Sequence, residues 1–198
     1  DFSIRPGWFY HAAEDTKVKS PEQLFDIYLT SVGRGSNMLL NIPPDRRGLV
    51  HEKDVESLKG FKAILDKTFK NNLTSNAKIW VSNTRGNDKQ FSGTNLMDGL
   101  FDSYWATDDD VTSAQIELDL QKEETINYIV LQEYIALGQR IKAFSVEAME
   151  DGQWKEISKG TTIGYKRILK ISPISAQKIR IRLIDSKASP VISHIALY

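Results

Sequence analysis

The residues that could do chemistry are few and scattered along the chain. His11 and His51 stand apart in the sequence, and neither has the spacing of a Ser-His-Asp triad or of a metal-ligand set around it. Glu14 and Asp15 form a carboxylate pair, but adjacent positions seldom converge on one substrate, so the pair indicates a solvated loop. The acidic cluster at residues 108–110 is likewise typical of a solvated turn. The sequence therefore contains no complete catalytic set.

Composition excludes several classes of partner. The 198 residues include 26 basic and 26 acidic side chains and no cysteine. The balanced charge argues against a nucleic-acid footprint, and the lack of cysteine excludes disulfides and thiolate metal sites. No apolar run approaches the roughly 20 residues that span a bilayer, so we expect neither nucleic acid nor membrane as a partner. The chain opens at Asp1 without an initiator Met, and we expect a processed product or a fragment.

The first third of the chain alternates between helical and strand-like patterns. Residues 20–23 (SPEQ) predict a capped helix start, and the helix should end at Gly33. The apolar run at residues 38–42 predicts a strand buried on both faces, and residues 51–69 predict a second amphipathic helix. At most one more strand is available, around residues 8–10. This is a piece of an α/β fold without its neighbouring strands; the alternative is a small α+β domain covered by the rest of the chain.

The remaining chain has the period-two pattern of β-strands. Residues 71–78 are polar and aperiodic, which predicts a linker. From residue 79 onward, runs such as 116–120 and 179–183 alternate apolar and charged residues, which favours a sandwich or jelly roll. Turn signals separate the predicted strands at residues 137–138, 151–152, 172–173 and 189–190.

Two segments near the start carry a family resemblance. Residues 3–11 (SIRPGWFYH) and 31–48 (SVGRGSNMLLNIPPDRRG) resemble the end of the catalytic domain of family 29 α-L-fucosidases. The resemblance implies that residues 1–70 are the C-terminal fragment of a (β/α)8-like barrel, with 38–42 as its last strand. The predicted fold class is therefore multidomain, α/β plus all-β, with a β-sandwich jelly roll over residues 79–198.

This resemblance also implies an activity. Family members hydrolyse terminal α-L-fucosyl linkages with retention, using an Asp nucleophile and a Glu acid/base about 5–5.5 Å apart. Both carboxylates belong to earlier strands, so no catalytic residue is expected in this chain, which alone should be inactive; the missing N-terminal part of the barrel would be its partner. Trp8 is the one substrate-binding residue carried over, as an apolar wall for the C5–C6 edge of fucose; the alternative is a core aromatic. Arg5 and His11 are expected to be structural.

A second resemblance covers residues 79–198. Residues 95–105 (NLMDGLFDSYW), 138–141 (GQRI) and 160–168 (GTTIGYKRI) resemble discoidin-like jelly rolls, the coagulation-factor C-type or family 32 carbohydrate-binding modules. Many such modules hold one structural calcium ion. The ligands that the resemblance implies are the carbonyls of Asn95, Leu100 and Ser193, the Asp98 carboxylate and the Ser103 hydroxyl.

One position departs from that ligand pattern. The acidic ligand that the family usually has near the C-terminus falls on His194, and imidazole suits a hard cation poorly. A calcium site and an empty, hydrogen-bonded loop therefore both remain open. No cofactor is expected for catalysis.

The role of the jelly roll is also open. Sugar-stacking candidates are Tyr104, Tyr134, Tyr165 and Trp154, whereas Trp80 and Trp105 are predicted in the core. The chain as a whole is interpreted as part of a bacterial, periplasmic or secreted α-L-fucosidase acting on fucosylated oligosaccharides or glycoconjugates. The alternative is a non-catalytic carbohydrate-binding or structural accessory module.

Overall fold

The chain folds as two compact units. A computed structural model describes all residues, 1–198. The first unit comprises residues 1–32 and 36–70, and the second comprises 33–35 and 71–198. No helix combines the length and the apolar surface that crossing a lipid bilayer requires.

The first unit is built around one short parallel strand pair. Its elements are β1 (Phe2–Ser3), α1 (Pro21–Thr30), β2 (Leu40–Asn41) and α2 (Glu52–Thr68). β1 and β2 pair in parallel, with Phe2 opposite Leu40. Parallel neighbours cannot be joined by a tight turn, and α1 supplies the crossover that they need.

Local capping chemistry fixes where both helices begin. Ser20 accepts a hydrogen bond from the Gln23 amide, and the Gln23 side chain accepts one from the Ser20 amide, which confirms the capping box predicted for α1. His51 caps α2, because its Nδ1 accepts from the Lys53 amide at 3.2 Å.

The predicted central strand differs from the structure. Only Leu40 and Asn41 of residues 38–42 form a strand, and neither is fully buried; Leu39 is 67% exposed. The prediction of burial on both faces is wrong for the described structure, because β2 has a single neighbouring strand. That neighbour is β1 at Phe2–Ser3, not residues 8–10, which form no strand.

The second unit is one seven-stranded antiparallel sheet. The strand order is β4-β9-β5-β8-β6-β7, and β3 pairs with β5 off this path. The strands are β3 (Lys78–Val81), β4 (Trp105–Ala106), β5 (Ala114–Glu133), β6 (Ile141–Glu150), β7 (Gln153–Gly160), β8 (Arg167–Ser186) and β9 (Val191–Leu197).

Two long strands belong to both layers of this sheet. The first half of β5 pairs with the second half of β8, beside β3 and β6; the second half of β5 pairs with the first half of β8, beside β9. Register shifts between Asp119 and Glu124 divide the two halves. Bulges of this kind bend a strand and let one sheet fold over on itself. The result is consistent with the predicted jelly roll.

Alternation of apolar and polar residues builds the core between the layers. Ile116 and Leu118 of β5 and Ile179 and Ile181 of β8 all point inward and are at most 1% exposed. Trp105 is fully buried as predicted, and its Nε1 donates to the Asn83 carbonyl at 2.9 Å.

Two predictions about this unit are wrong. Residues 172–173 (Ser-Pro) do not form a turn but lie within β8, at an irregular stretch of its pairing with β5, where a proline needs no ladder hydrogen bond. Trp80 is 54% exposed rather than buried. It pairs with Glu117, and that register places both on the outer face, because their neighbours Ile116 and Leu118 point inward.

The segment predicted as a linker is ordered. Within residues 71–78, Leu73–Asn76 form a 3-10 turn, and Leu73 and Ala77 pack against the core. Thr74 is fully buried, and its amide and hydroxyl both donate to Asn72 Oδ1. The second unit therefore starts before β3.

Asp45 closes the turn that follows β2. Its Oδ1 accepts from the Arg47 amide at 2.8 Å, and its Oδ2 accepts from Arg47 Nε at 2.9 Å and from Arg47 Nη2 at 2.6 Å. These bonds lower the pKa of Asp45 from 3.8 to about 2. The Asp45 side chain is almost fully covered, whereas Arg47 is half exposed.

We expect Asp45 to make stability depend on pH in a narrow acidic range. Because its folded pKa is depressed, its stabilising effect is complete above the unfolded pKa of 3.8 and is lost as the pH falls through about 2. Urea unfolding of the chain and of Asp45→Asn should show a difference in unfolding free energy that is constant above pH 5 and shrinks between about pH 4 and 2. A difference that does not change with pH would contradict this.

Candidate functional site

In the first unit, Trp8 lies beside the carboxyl ends of both strands. Asn41 ends β2, and its Nδ2 donates to the Trp8 carbonyl at 2.9 Å and to Ser3 Oγ at 3.0 Å. Since Ser3 ends β1, this one amide ties two strand ends to the loop that carries Trp8. The indole is 53% exposed. The arrangement holds the Trp8 backbone at the carboxyl ends of two parallel strands and leaves the indole half exposed.

A buried ion pair anchors the same loop. The Arg5 side chain is fully buried, and its Nε donates to both oxygens of Asp54, at 3.1 and 3.0 Å. Arg5 Nη1 donates to Asp15 at 2.8 Å, and the guanidinium lies 4.7 Å from the centre of the Tyr10 ring. Burial alone would lower the pKa of Arg5, but Asp54 and Asp15 outweigh it and raise the pKa. Arg5 is thus held charged, in agreement with the structural role expected for it.

The other polar residues of this loop have separate positions. His11 is exposed, and it flanks a 3-10 turn without capping it. Glu14 accepts a hydrogen bond from the Gly7 amide at 3.4 Å. The prediction of a solvated Glu14-Asp15 pair is wrong for Asp15, because its carboxylate is paired with buried Arg5.

In the second unit, the Asp-Gly loop is closed by its own hydrogen bonds. Asp98 Oδ1 accepts from the Leu100 amide at 2.8 Å, and Asp98 Oδ2 accepts from Ser103 Oγ at 2.6 Å. The Asn95 side chain donates to the carbonyls of Gln90 and Tyr104, at 2.7 and 2.9 Å. Both carboxylate oxygens and the Asn95 amide are therefore engaged within the protein.

Neither Ser193 of the predicted calcium set nor His194, which replaces the family's usual acidic ligand, adds a negative charge to this loop. Ser193 Oγ donates weakly to the Gln132 carbonyl at 3.4 Å. Burial and nearby Lys166 lower the pKa of His194 and outweigh the opposing effect of Asp98. The lowered pKa keeps the imidazole neutral. No group of three or more His, Cys, Asp or Glu side chains is arranged to hold a metal. In these contacts the loop is closed by hydrogen bonds, as in the second of the two alternatives. A bound calcium ion stays a prediction.

A cleft of about 640 Å³ opens among the loops of the second unit. Ligand pockets commonly fall in the range of about 300–1,000 Å³. It is lined by the polar residues Arg85, Arg140, Lys187 and Ser189, by the aromatic residues Tyr104 and Phe91, and by the acidic residues Asp109 and Asp110. Sequence reasoning missed this cluster. The one local signal for it was Arg140, which lies in the segment at residues 138–141 that resembles discoidin-like jelly rolls.

Two guanidinium groups converge in this cleft on one hydroxyl. Arg85 Nη2 and Arg140 Nη1 donate to Ser189 Oγ at 3.0 and 3.1 Å. Arg140 Nη1 also donates to the Ser189 carbonyl at 2.8 Å, and Arg85 Nη2 pairs with Asp109 at 2.7 Å. Asp109 is thus the carboxylate that neutralises Arg85.

Asp108 fixes the loop that carries Arg85. Its carboxylate accepts from the Gly86 amide at 2.7 Å and from Asn83 Nδ2 at 2.9 Å, and its amide donates to Asn83 Oδ1 at 2.7 Å. The Gly86 and Asn83 bonds lower the pKa of Asp108. The predicted solvated turn at residues 108–110 is therefore wrong for Asp108, which is a loop anchor.

A buried carboxylate sets the position of Arg140. Glu133 ends β5 and is 2% exposed. Its Oε1 accepts from the amides of Arg140 at 2.6 Å and Ile141 at 2.9 Å, and its Oε2 accepts from the Gly164 amide at 2.6 Å. Three backbone donors on two loops thus share one side chain. Sequence reasoning did not single out Glu133, since an alternating strand gives no sign of which loops its last residue will meet.

The structure brings together only two of the four sugar-stacking candidates, Tyr104 and Tyr134. Tyr104 and Tyr134 stack on each other with ring centres 4.5 Å apart, so part of each face is covered. Tyr165 is 57% exposed. Trp154 lies on the outer sheet face, where the guanidinium of Arg180 stacks 4.3 Å from its ring. Among these residues, Tyr104 is the one that lines the cleft.

A family model for the F5/8 type C domain matches residues 74–197, which is more than half of the chain. The chain belongs to this family. The Asp-Gly loop, the cleft and Glu133 all lie within its F5/8 type C domain. A second family model, alpha-L-fucosidase, matches residues 1–69, the part that carries Trp8, Asn41 and Arg5.

The homologues of this F5/8 type C chain are α-L-fucosidases. Alpha-L-fucosidase 1 of Arabidopsis thaliana is 35% identical over all of the chain and 40% of that protein. A solved structure named SpGH29 matches with a TM-score of 0.91 and 44% identity, over 100% of this chain and 43% of that one. A Ruminococcus gnavus GH29 fucosidase in complex with fucose has a TM-score of 0.92 and 36% identity, over 99% and 40%. The chain spans about two fifths of the length of the curated relatives it matches.

We expect Glu133→Gln to destabilise the chain by about 2 kcal/mol, because the new amide turns a donor toward buried backbone N–H groups. Urea unfolding should show a lower midpoint. Glu123→Gln, an exposed glutamate of the same strand, is the matched control and should change the midpoint little. Equal midpoints for the two variants would show that the three amide bonds do not anchor the loops.

Proposed function

We propose that this chain is the C-terminal part of a retaining α-L-fucosidase that hydrolyses terminal α-L-fucosyl linkages of oligosaccharides or glycoconjugates. Residues 1–70 would close its (β/α)8-like barrel, and the F5/8 type C domain would be an accessory module. The observation that carries this is the exposed indole of Trp8 at the carboxyl ends of two adjacent parallel strands. Active sites of (β/α)8 barrels lie at that end of the strands, on the loops that lead into the helices.

The exposed apolar surface of the first unit supports the barrel proposal. Phe9, Leu39 and Leu49 are 79%, 67% and 59% exposed. A parallel sheet of two strands leaves both outer edges unpaired, and parallel sheets are ordinarily covered on both faces. Further strands of the same barrel would pair those edges and cover this apolar surface.

In this proposal the chain contributes binding rather than bond cleavage. The Asp nucleophile and the Glu acid/base would come from other strands of the enzyme. Trp8 would supply the apolar wall for the C5–C6 edge of fucose, which as a 6-deoxy sugar ends in a methyl group. Asn41 would position Trp8 through the Trp8 carbonyl, and the Arg5–Asp54 pair would fix the same loop to α2. Export to the periplasm or medium, and a bacterial source, stay predictions.

A second candidate function is carbohydrate binding by the F5/8 type C domain itself. The cleft favours it, because it is lined both by aromatic rings and by hydrogen-bond donors. A purely structural role for the domain has no comparable observation in its favour.

We expect Trp8→Ala to lower the kcat/KM of the full-length fucosidase by about tenfold to a hundredfold, since the apolar contact with the sugar methyl edge is lost. Trp8→Phe should recover most of it. Hydrolysis of an aryl α-L-fucoside and of a fucosylated oligosaccharide measures the effect.

Trp80→Ala is the matched control, because Trp80 is as exposed as Trp8 but lies on the outer face of the F5/8 type C domain. It should leave kcat/KM within about twofold. A Trp8→Ala enzyme with unchanged kcat/KM would remove Trp8 from the site, and a full-length protein without fucose release would overturn the proposed activity.

A further inference from the structure

The residues that line the cleft carry more positive than negative charge. Arg85, Arg140 and Lys187 are positive, Asp109 and Asp110 are negative, and Asp110 forms no ion pair. Asp109 is committed to Arg85 by the 2.7 Å ion pair. Arg140 donates only to oxygens without charge: the Leu137 carbonyl, the Ser189 carbonyl and the Ser189 hydroxyl. Lys187 is exposed at the rim. The cations that remain without a carboxylate are thus Arg140 and Lys187.

Ser189 adds a donor to these two cations. A hydroxyl group has one hydrogen and two lone pairs. Ser189 Oγ accepts from both Arg85 and Arg140, so its lone pairs are occupied and its hydrogen is left to donate. The residue is 5% exposed, and the cleft is the space that its side chain lines. A buried donor next to two cations calls for an acceptor with negative charge.

The backbone holds these groups in place before any ligand arrives. The Lys187 amide donates to the Arg140 carbonyl at 2.8 Å, so the backbones of the two residues are directly paired where both line the cleft. Glu133 fixes the Arg140 amide from the other direction. Preorganised donors lose little conformational entropy on binding, which favours affinity.

From these contacts we infer that the cleft binds an acidic saccharide. Its carboxylate or sulfate ester is held by Arg140, Lys187 and Ser189, and its sugar ring lies against Tyr104. The cavity of about 640 Å³ has room beyond the anion for attached sugar, and the Tyr104 ring, backed by Tyr134, offers an apolar surface to it. The choice of a saccharide among acidic ligands rests on the proposed role of the protein in glycan hydrolysis.

Calorimetric titration of the whole chain tests the inference with four probes: 3′-sialyllactose, 3′-sulfated lactose, lactose and sodium sulfate. We expect one or both acidic sugars to bind about tenfold or more tightly than lactose, and to bind more weakly as salt is added. The stronger of the two acidic sugars identifies carboxylate or sulfate ester as the preferred group. Equal affinity for lactose and both acidic sugars would overturn the inference. Sodium sulfate binding as tightly as sulfated lactose would overturn its saccharide part.

Variants separate the cleft from general charge effects. Lys187→Gln and Arg140→Gln should each reduce affinity for the acidic sugar about fivefold to tenfold while leaving lactose binding within twofold. Lys122→Gln removes an exposed lysine of β5 outside the cleft and should change neither affinity. Because Arg140 also supports the Ser189 loop, the exposed Lys187 decides the case: unchanged affinity in a folded Lys187→Gln chain would refute the site. Fucose release by the full-length enzyme is measured separately, so failure of either proposal leaves the other distinguishable.

Discussion

The antiparallel pairing of β5 with β8 is the constraint on which the second unit depends. The two strands are the longest of the chain, and each takes part in both layers of the sheet. β3 and β9 pair with β5, and β6 pairs with β8; β4 pairs with β9, and β7 pairs with β6. All five other strands are therefore placed by this pair, directly or through one neighbour. The loops that form the cleft begin where these strands end. The position of each loop residue is thus set by strand register rather than by the loop sequence.

The first unit is organised by a different interaction, the buried pair of Arg5 and Asp54. A buried ion pair adds little net stability, but removing one partner leaves an uncompensated charge that costs about 3–5 kcal/mol. Arg5 Nη2 has no hydrogen-bond partner in the structure although it is buried. The pair therefore specifies where the loop after β1 lies, against the first turn of α2, more than it stabilises the unit. Trp8 is placed three residues along that specified loop.

Features encoded by neighbouring residues could be predicted from the sequence, and features created by distant pairing could not. The capping box of Ser20 and Gln23 is local, and its prediction was correct. Period-two alternation identified the strands of the sheet but not their lengths, because Ser172-Pro173 is a turn signal that here falls at an irregularity within β8. Trp80 was misplaced because its outward face follows from its partner Glu117, which no local pattern reveals.

The candidate sites divide in the same way. Trp8 was found through a motif, whereas the junction of Arg140 with Lys187 and Ser189 exists only because β8 and β9 return beside the loop after β5. Family resemblance supplied what the spacing of titratable residues could not, since the chain contains no complete catalytic set of its own.

Glu133 has a consequence for how this protein can change over time. It holds the segment at residues 134–140 by the far end, from a strand that is already fixed by the core, and the tip of that segment, residues 135–139, is exposed. Apart from Gly138, whose φ of 89° favours glycine, the tip is free to accept substitutions without loss of the scaffold. Natural variation or directed evolution can therefore replace residues of this tip to alter ligand preference while the rest of the domain stays unchanged.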